Sequence, residues 1–451
     1  MVAQTTTRAD PDWAWAAYEP DAERPWNLRQ AGHLYRRAAF GADWTQLQRA
    51  LTDGPQRTVD RLLTPQTDVD AFDCKYDQFE SIAGGSVGGL RAWWLRRMIE
   101  TPHPLQEKMM LFWHGHFATS AAGLKDPRLM EQHIRLLRRH SLGSFSDLLA
   151  AISQDPATLT WLGADVNRKA VPNTAFAEPL METFTLGPGV CTETDVREAA
   201  RAFTGWFVLR GQLRYIPREH DEGVKHVLGA EGDLAAEDIV RIVLEQPATA
   251  GWIVRKLYRW LINEADEPPD ALVAPLAKSF AEDYSISRLV ETMLRSNLFF
   301  SPAAYRQRIK CPVEFAVGIV HAMEGVVSTT ELADDIAGLG QDLCHPPTVK
   351  GWAGGQYWIN AATIARRCNL SSALLQGDEP YRDKLDPWAV ARRHGCTTPE
   401  LVSQWVRDLF VQGDLQSNVR EVLWANVRDD SEGALRDLAQ AVAALPEFNL
   451  A

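Results

Sequence analysis

The sequence lacks long hydrophobic runs, an excess of positive charge and a recognisable secretion signal. No run of about 18 or more apolar residues occurs, and we therefore expect no membrane-spanning helix. The formal net charge of −12 excludes a broadly basic surface of the kind that coats nucleic acid. The segment from Met1 to Asn27 has no basic start followed by an apolar core, so we expect a cytoplasmic protein.

Cysteine is also scarce, and its spacing excludes two classes of small scaffold. The six cysteines are widely spread, and no two of them form a Cys-x-x-Cys pair. A zinc ribbon needs such pairs, and cysteines this widely spread do not indicate a tight disulfide framework. The sequence contains no Walker loop and no dinucleotide-binding fingerprint either, so neither of these phosphate-binding motifs assigns a reaction.

Apolar residues recur mainly at helical spacing along the chain, as in Ala248–Ile262. The apolar fraction of 45% and the charged fraction of 24% are typical of a globular protein. We predict a mainly α fold with one large helical domain over residues 28–451. A loosely ordered N-terminal arm is expected over residues 1–27, because that segment is polar and acidic with only scattered aromatics.

Two departures from helical periodicity stand out. Trp206–Leu209 and Leu213–Ile216 alternate around Arg210-Gly211-Gln212, which predicts one small β-hairpin. Residues 64–86 are polar and contain Gly84-Gly85, which predicts a loop.

The densest group of aromatic, sulfur-containing and titratable side chains lies between Glu107 and Ser120. Leu105, Met109, Phe112 and His116 share one face of the predicted helix. His114 lies about 200° from His116 around the same helix, so at most one of the two histidines is expected in any one site. His116 is either a site residue or a buried histidine that is bonded to a backbone carbonyl.

Several segments together resemble one large bacterial family, the domain of unknown function numbered eighteen hundred. The segments that carry the resemblance include Leu34–Gly41, Lys108–Ser120, Leu180–Trp206, His220–Lys225 and Gly351-Trp352. Their order and spacing agree over most of the chain, so the resemblance implies a nearly full-length member. The family's name assigns no activity.

One segment departs from the pattern of that family, which usually carries Asn-Glu-Asn-Tyr-Ala-Arg-Glu-Leu-Met-Glu. Here Glu178 takes the place of the arginine and Pro179 that of the following acid, whereas Glu182 is retained. If a family site uses that arginine and acid, the resemblance implies that this chain has altered or lost the chemistry.

The first functional hypothesis is a metal-assisted hydrolase or a related enzyme. Imidazole and carboxylate ligands from His116 (or His114), His220 and Asp221 suit Zn, Mn or Fe. An open coordination position would activate water, and Glu182 or Glu107 would move protons. In the alternative interpretation, His220-Asp221 is a polar turn and Glu182 pairs with an arginine such as Arg201.

A second hypothesis needs no metal. A carboxylate pair could act on a glycan, with Arg201 and Lys225 holding an anionic group. Trp352, Tyr357 and Trp358 lie in a glycine-rich stretch and would suit stacking against a sugar, although Trp352 could equally anchor a buried loop.

A third hypothesis is a non-catalytic helical binding or scaffold protein with a small-molecule, glycan or protein ligand. The predicted site residues are Glu107, Glu182 and Arg201 for catalysis, Lys225, Trp352 and Trp358 for substrate, and His116, His220 and Asp221 for a divalent metal.

Overall fold

Helices account for most of the chain described by the computed structural model, namely residues 10–64, 69–83, 85–382, 384–426 and 432–451. The predicted mainly α fold is therefore confirmed. No helix in these ranges is both long and apolar enough to cross a membrane.

The first half of the chain forms ten helices within its described residues. They are α1 (Pro11–Trp15), α2 (Leu28–Ala38), α3 (Trp44–Leu63), α4 (Val69–Ala83), α5 (Val87–Glu100), α6 (Pro104–His116), α7 (Pro127–His140), α8 (Phe145–Ser153), α9 (Pro156–Trp161) and α10 (Glu193–Ala202). A short π-helix, Pro179–Leu186, precedes α10.

The second half continues with helices that begin after two small hairpins. They are α11 (Ala236–Glu245), α12 (Pro247–Leu261), α13 (Asp270–Phe280), α14 (Ile286–Arg295), α15 (Pro312–Ala322), α16 (Thr329–Gly338), α17 (Ala361–Ser372), α18 (Pro387–Arg393), α19 (Pro399–Val411), α20 (Ser417–Asn426), α21 (Glu432–Ala444) and α22 (Pro446–Asn449). A second π-helix, Ala373–Gly377, follows α17.

Local sequence explains where many of these helices begin. Asp43 accepts a hydrogen bond from the backbone N–H of Gln46, whose side chain bonds back, and this capping box starts α3. Thr192 and Asp195 form the same arrangement at the start of α10. Proline occupies the first turn of α6, α12 and α15, where its missing N–H leaves no bond unmade.

The hydrophobic core is one continuous cluster of buried side chains that extends from Ala14 to Phe448. Helix α5 packs against α4 and α16, and α12 packs against α13 and the π-helix Pro179–Leu186. Near the C-terminus, α19 and α17 pack against α21. Helices α6 and α12 are distant in sequence but lie close together, since the rings of Phe112 and Trp260 are 5.8 Å apart.

We expected a loosely ordered N-terminal arm, but its described part, residues 10–27, is attached to the core at two buried residues, while most of its other residues are exposed. Ala14 and Tyr18 are buried, and the Tyr18 ring lies 4.6 Å from that of Phe300. The backbone N–H of Tyr18 also donates to the carbonyl of Arg295 at 2.7 Å. A single well-placed aromatic side chain is enough to hold a segment that is polar on average.

Two antiparallel hairpins are present in the described chain, whereas one was predicted. The strands are β1 (Trp206–Leu209), β2 (Gln212–Tyr215), β3 (Lys225–Val227) and β4 (Ala230–Gly232). The β1–β2 pair confirms the predicted hairpin. The turn between β3 and β4 places Leu228 and Gly229 at φ of 51° and 87°. Leucine rarely adopts a positive φ, so the Leu-Gly pair does not predict a turn from the sequence.

Helix α4 occupies much of the segment for which we predicted a loop. Phe72 and Tyr76 are one helical turn apart, and their rings lie 4.4 Å from each other. The guanidinium group of Arg97 on α5 lies 5.1 Å from the Phe72 ring. The loop prediction was wrong because two aromatic side chains that pack on α5 stabilise an otherwise polar helix.

Candidate functional site

A cavity of about 390 Å³ is formed by α6, α12 and the glycine-rich loop before α17. Its wall contains four tryptophans, Trp252, Trp260, Trp352 and Trp358. Five cationic side chains, Arg255, Lys256, Arg259, Arg308 and Lys350, line the same space, together with His116, Gln341, Glu264 and Glu267. We call this space the tryptophan cavity.

Helix α12 contributes more residues to the wall of the tryptophan cavity than the residues predicted from the sequence do. One face of α12 carries five of the lining residues. It begins with Trp252, and the residues three, four, seven and eight positions further along are Arg255, Lys256, Arg259 and Trp260. That spacing is visible in the sequence. A mixed aromatic and basic helix face is also typical of an ordinary surface helix, so this spacing alone does not indicate a binding site.

The glycine-rich loop reaches α6 through Gly351. This residue has φ of +74°, and a Cβ atom placed on it would overlap the carbonyl oxygen of Gly115 in α6. Only glycine allows both the backbone conformation and the close approach. The contact brings Trp352 and Trp358, two predicted substrate-binding residues, to the cavity.

His116 contributes an unoccupied hydrogen-bond acceptor to the cavity wall. Its Nε2 donates to the carbonyl oxygen of Phe184 at 3.1 Å, so the neutral ring carries its lone pair on Nδ1. Nδ1 is buried and has no hydrogen-bond partner among the described residues. Burial, and secondarily the charge of Lys256, lower the pKa of His116 from 6.5 to about 3.

Lys256, unlike the three arginines that line the cavity, forms no ion pair among the described residues. Arg255 pairs with Asp270, and Arg259 pairs with Glu267. The Lys256 ammonium instead lies 4.7 Å from the centre of the Trp252 ring. Burial and the nearby Arg259 charge lower its pKa. Its charge therefore remains available to an anionic group that enters the cavity.

A buried charge cluster lies behind the tryptophan cavity. Glu314 accepts from both Lys108 and Arg308, and it also accepts from the backbone N–H of Cys311 at 2.8 Å. The guanidinium group of Arg308 lies 4.5 Å from the Trp260 ring. Burial opposes ionisation of Glu314, but the two cations outweigh it and hold its pKa well below 4.5. This cluster fixes Arg308 in the cavity wall.

Glu107, a predicted catalytic residue, is enclosed in a separate buried network. Its carboxylate accepts from Arg97 Nε at 2.6 Å, Arg138 Nε at 2.7 Å and Trp94 Nε1 at 3.0 Å. Burial alone would raise the pKa of Glu107, but the charges of Arg138 and Arg97 lower it from 4.5 to about 2. The geometry is that of a structural ion cluster, and Glu107 does not line the tryptophan cavity.

The low pKa of Glu107 predicts a loss of stability in acid. A carboxyl group with a lowered folded-state pKa stabilises the fold above its unfolded value and loses that contribution as the pH falls. We therefore expect the difference in unfolding free energy between wild type and Glu107→Gln to shrink as the pH falls from 4.5 towards 2. Denaturant titrations at several pH values measure this difference. A difference that is independent of pH would contradict the assignment.

The predicted residues near the hairpins pair with neighbours close to them. Arg201 Nε donates to Asp221 at 2.7 Å, and Lys225 donates to Asp233 at 2.8 Å. His220 Nδ1 donates to the carbonyl oxygen of Thr204 at 2.8 Å. The bonds of Arg201 and Thr204 connect α10 and the residues after it to the turn before β3. This is the arrangement of the alternative interpretation, in which His220-Asp221 is a polar turn. The residues do not line the tryptophan cavity.

Glu182 lies half-buried on the π-helix, and its predicted pairing with Arg201 is not made, because Arg201 binds Glu198 and Asp221. No group of three or more His, Cys, Asp or Glu residues in the described part of the chain is arranged to hold a metal ion. The structure thus brings His116 together with Trp352 and Trp358, but not with His220 and Asp221. A Zn, Mn or Fe site stays a prediction.

Fold and site together define a mainly α protein with an aromatic, cation-lined cavity. The chain belongs to the family described as protein of unknown function (DUF1800), whose sequence profile matches residues 33–450. The resemblance inferred from the sequence is thereby confirmed over nearly the whole chain. No curated protein and no solved structure matched it.

Proposed function

We propose that the protein binds an acidic sugar in the tryptophan cavity. The observation that carries the proposal is the convergence of four tryptophans with Lys256, a cation that forms no ion pair in the described chain. Tryptophan rings offer broad apolar surfaces for stacking, and the ammonium group offers a charge for a carboxylate. The cavity of about 390 Å³ falls within the size range of small-molecule sites.

Unused hydrogen-bonding groups favour a sugar over a flat aromatic acid. His116 Nδ1 and Glu264 Oε2 are buried acceptors without partners among the residues described. Trp260 Nε1 is a buried donor that likewise has no partner among them. Buried polar groups are costly unless they are bonded. These three atoms are closed to a water-sized group, so their side chains have to shift on binding before sugar hydroxyls, which both donate and accept, satisfy them.

The ionisation of the candidate residues supports binding more than acid–base catalysis. A general base works best with a pKa near the working pH. The pKa of His116 is lowered to about 3, and that of Glu107 to about 2. A neutral His116 that accepts a hydroxyl proton in a hydrogen bond fits these values.

Calorimetric titration with D-glucuronic, D-galacturonic and D-mannuronic acids tests the proposal, with D-glucose as the neutral control. We expect at least one uronic acid to bind and Lys256→Met to weaken its binding about 10- to 100-fold, because a hydrogen bond to a charged group contributes about 1.5–3 kcal/mol. Lys278→Met, an exposed lysine of α13, is the matched control and should bind like wild type. Absence of uronic acid binding at millimolar concentration, or unchanged binding by Lys256→Met, would overturn the proposal.

A further inference from the structure

A second cavity of about 450 Å³ adjoins the tryptophan cavity. Five residues, Arg259, Glu264, Arg308, Ala353 and Gly354, line both spaces. Two spaces with five lining residues in common are adjacent, and we call the pair the cleft. We call the additional space the outer compartment.

The boundary between the two spaces carries the carboxylate of Glu264. Gly354 has φ of +73°, and a Cβ atom placed on it would lie 3.0 Å from Glu264 Oε1. Gly355, at φ of +54°, would place its Cβ 3.3 Å from Glu264 Cδ. The loop therefore lies directly against the Glu264 side chain. Glu264 lines both spaces, so its side chain lies at the boundary that a ligand occupying both would cross.

The outer compartment repeats the chemistry of the first. Tyr357 lines it and is 72% exposed, which leaves a free aromatic ring at its wall. Arg306 lines it as well. Its guanidinium group donates to the carbonyl oxygens of Asp414 and Val411 at 3.1 and 3.2 Å and forms an ion pair with the Asp414 carboxylate. The outer compartment thus has an aromatic ring and guanidinium groups, as the tryptophan cavity does. This repetition indicates a ligand made of repeating units.

From this repetition we infer that the cleft binds an acidic oligosaccharide of at least two units. One unit occupies the tryptophan cavity, and the next lies in the outer compartment beside Tyr357. Arg259, which lines both spaces and is partly exposed, lies between acidic groups of successive units, and Glu264 accepts from a hydroxyl group near the linkage. The inference rests on the proposed function, since it extends the ligand of the same site.

Chain-length dependence of binding tests the inference with the dimers and trimers of the three uronic acids. We expect at least a tenfold lower Kd for the dimer than for the monomer. Tyr357→Ala should weaken dimer binding about three- to tenfold, as expected for loss of an aromatic contact, and leave monomer binding unchanged. Tyr215→Ala, an exposed tyrosine of β2 that lines neither compartment, is the matched control.

The outcomes separate the two proposals. Equal affinity for monomer and dimer, or a Tyr357→Ala variant that binds the dimer like wild type, would overturn the two-compartment inference and leave monomer binding intact. Failure of every uronic acid and oligomer to bind would overturn the proposed function itself.

Discussion

Replacing Glu314 by glutamine is expected to lower the free energy of unfolding by about 3–5 kcal/mol, the usual cost of breaking a buried ion pair. The substitution preserves shape but removes the charge that balances Lys108 and Arg308. Lys108 is fully buried, and Arg308 is only 2% exposed, so water cannot replace the lost partner. Arg308 also contacts the Trp260 ring, and we therefore expect the tryptophan cavity to lose its shape in the same variant.

Denaturant unfolding at neutral pH measures the effect on stability. Glu245→Gln is the matched control, because Glu245 forms an exposed pair with Arg241 one helical turn away. Exposed pairs contribute about 0–1 kcal/mol, so the control should stay close to wild type. If the two variants were equally stable, the buried cluster would not have the role assigned to it.

Replacing Gly351 by alanine is the second change with a large expected effect. We expect a loss of about 2–5 kcal/mol, the sum of about 1–2 for a side chain at positive φ and about 1–3 for overpacking. The added methyl group would overlap the carbonyl oxygen of Gly115, so the loop has to move away from α6. Because Trp352 is the next residue, uronic acid binding should also weaken by at least tenfold.

Gly340→Ala separates the two contributions. Gly340 has φ of +103°, but nothing lies within 4 Å of the position that its Cβ would take. This control should therefore lose only the part of the stability that comes from backbone conformation. If Gly351→Ala were no less stable than Gly340→Ala, the close approach of the loop to α6 would be refuted.

Periodicity predicted helices well wherever one face of the helix is buried. The predicted helix that carries Leu105 and His116 on one face is α6, and Ala248–Ile262 corresponds to α12 within one residue at each end. The same argument separated the two histidines: His116 lines the tryptophan cavity, whereas His114 does not. Helical spacing is a local property, so it can be inferred without knowing what covers the helix.

The partners of charged residues could not be inferred in this way. Glu107 and Asp221 have the side chains that catalysis would require, yet each one is bound by arginines that the fold brings to it. His220 is bonded to a carbonyl at 2.8 Å, and its side chain is buried. A titratable residue in a sequence is only a candidate catalytic residue until its neighbours are known, because a structural ion pair and an open active site use the same residue types.

By itself, the sequence determined the mainly α fold, the membership of the family and the placement of Trp352 and Trp358 in a glycine-rich loop. Only the tertiary structure decided that this loop meets α6 and α12, that Lys256 forms no ion pair among the described residues and that Glu107 does form one. Helical periodicity acts over a few neighbouring residues. The charge balance of a cavity depends on side chains that lie far apart in the chain and meet only when the core has formed.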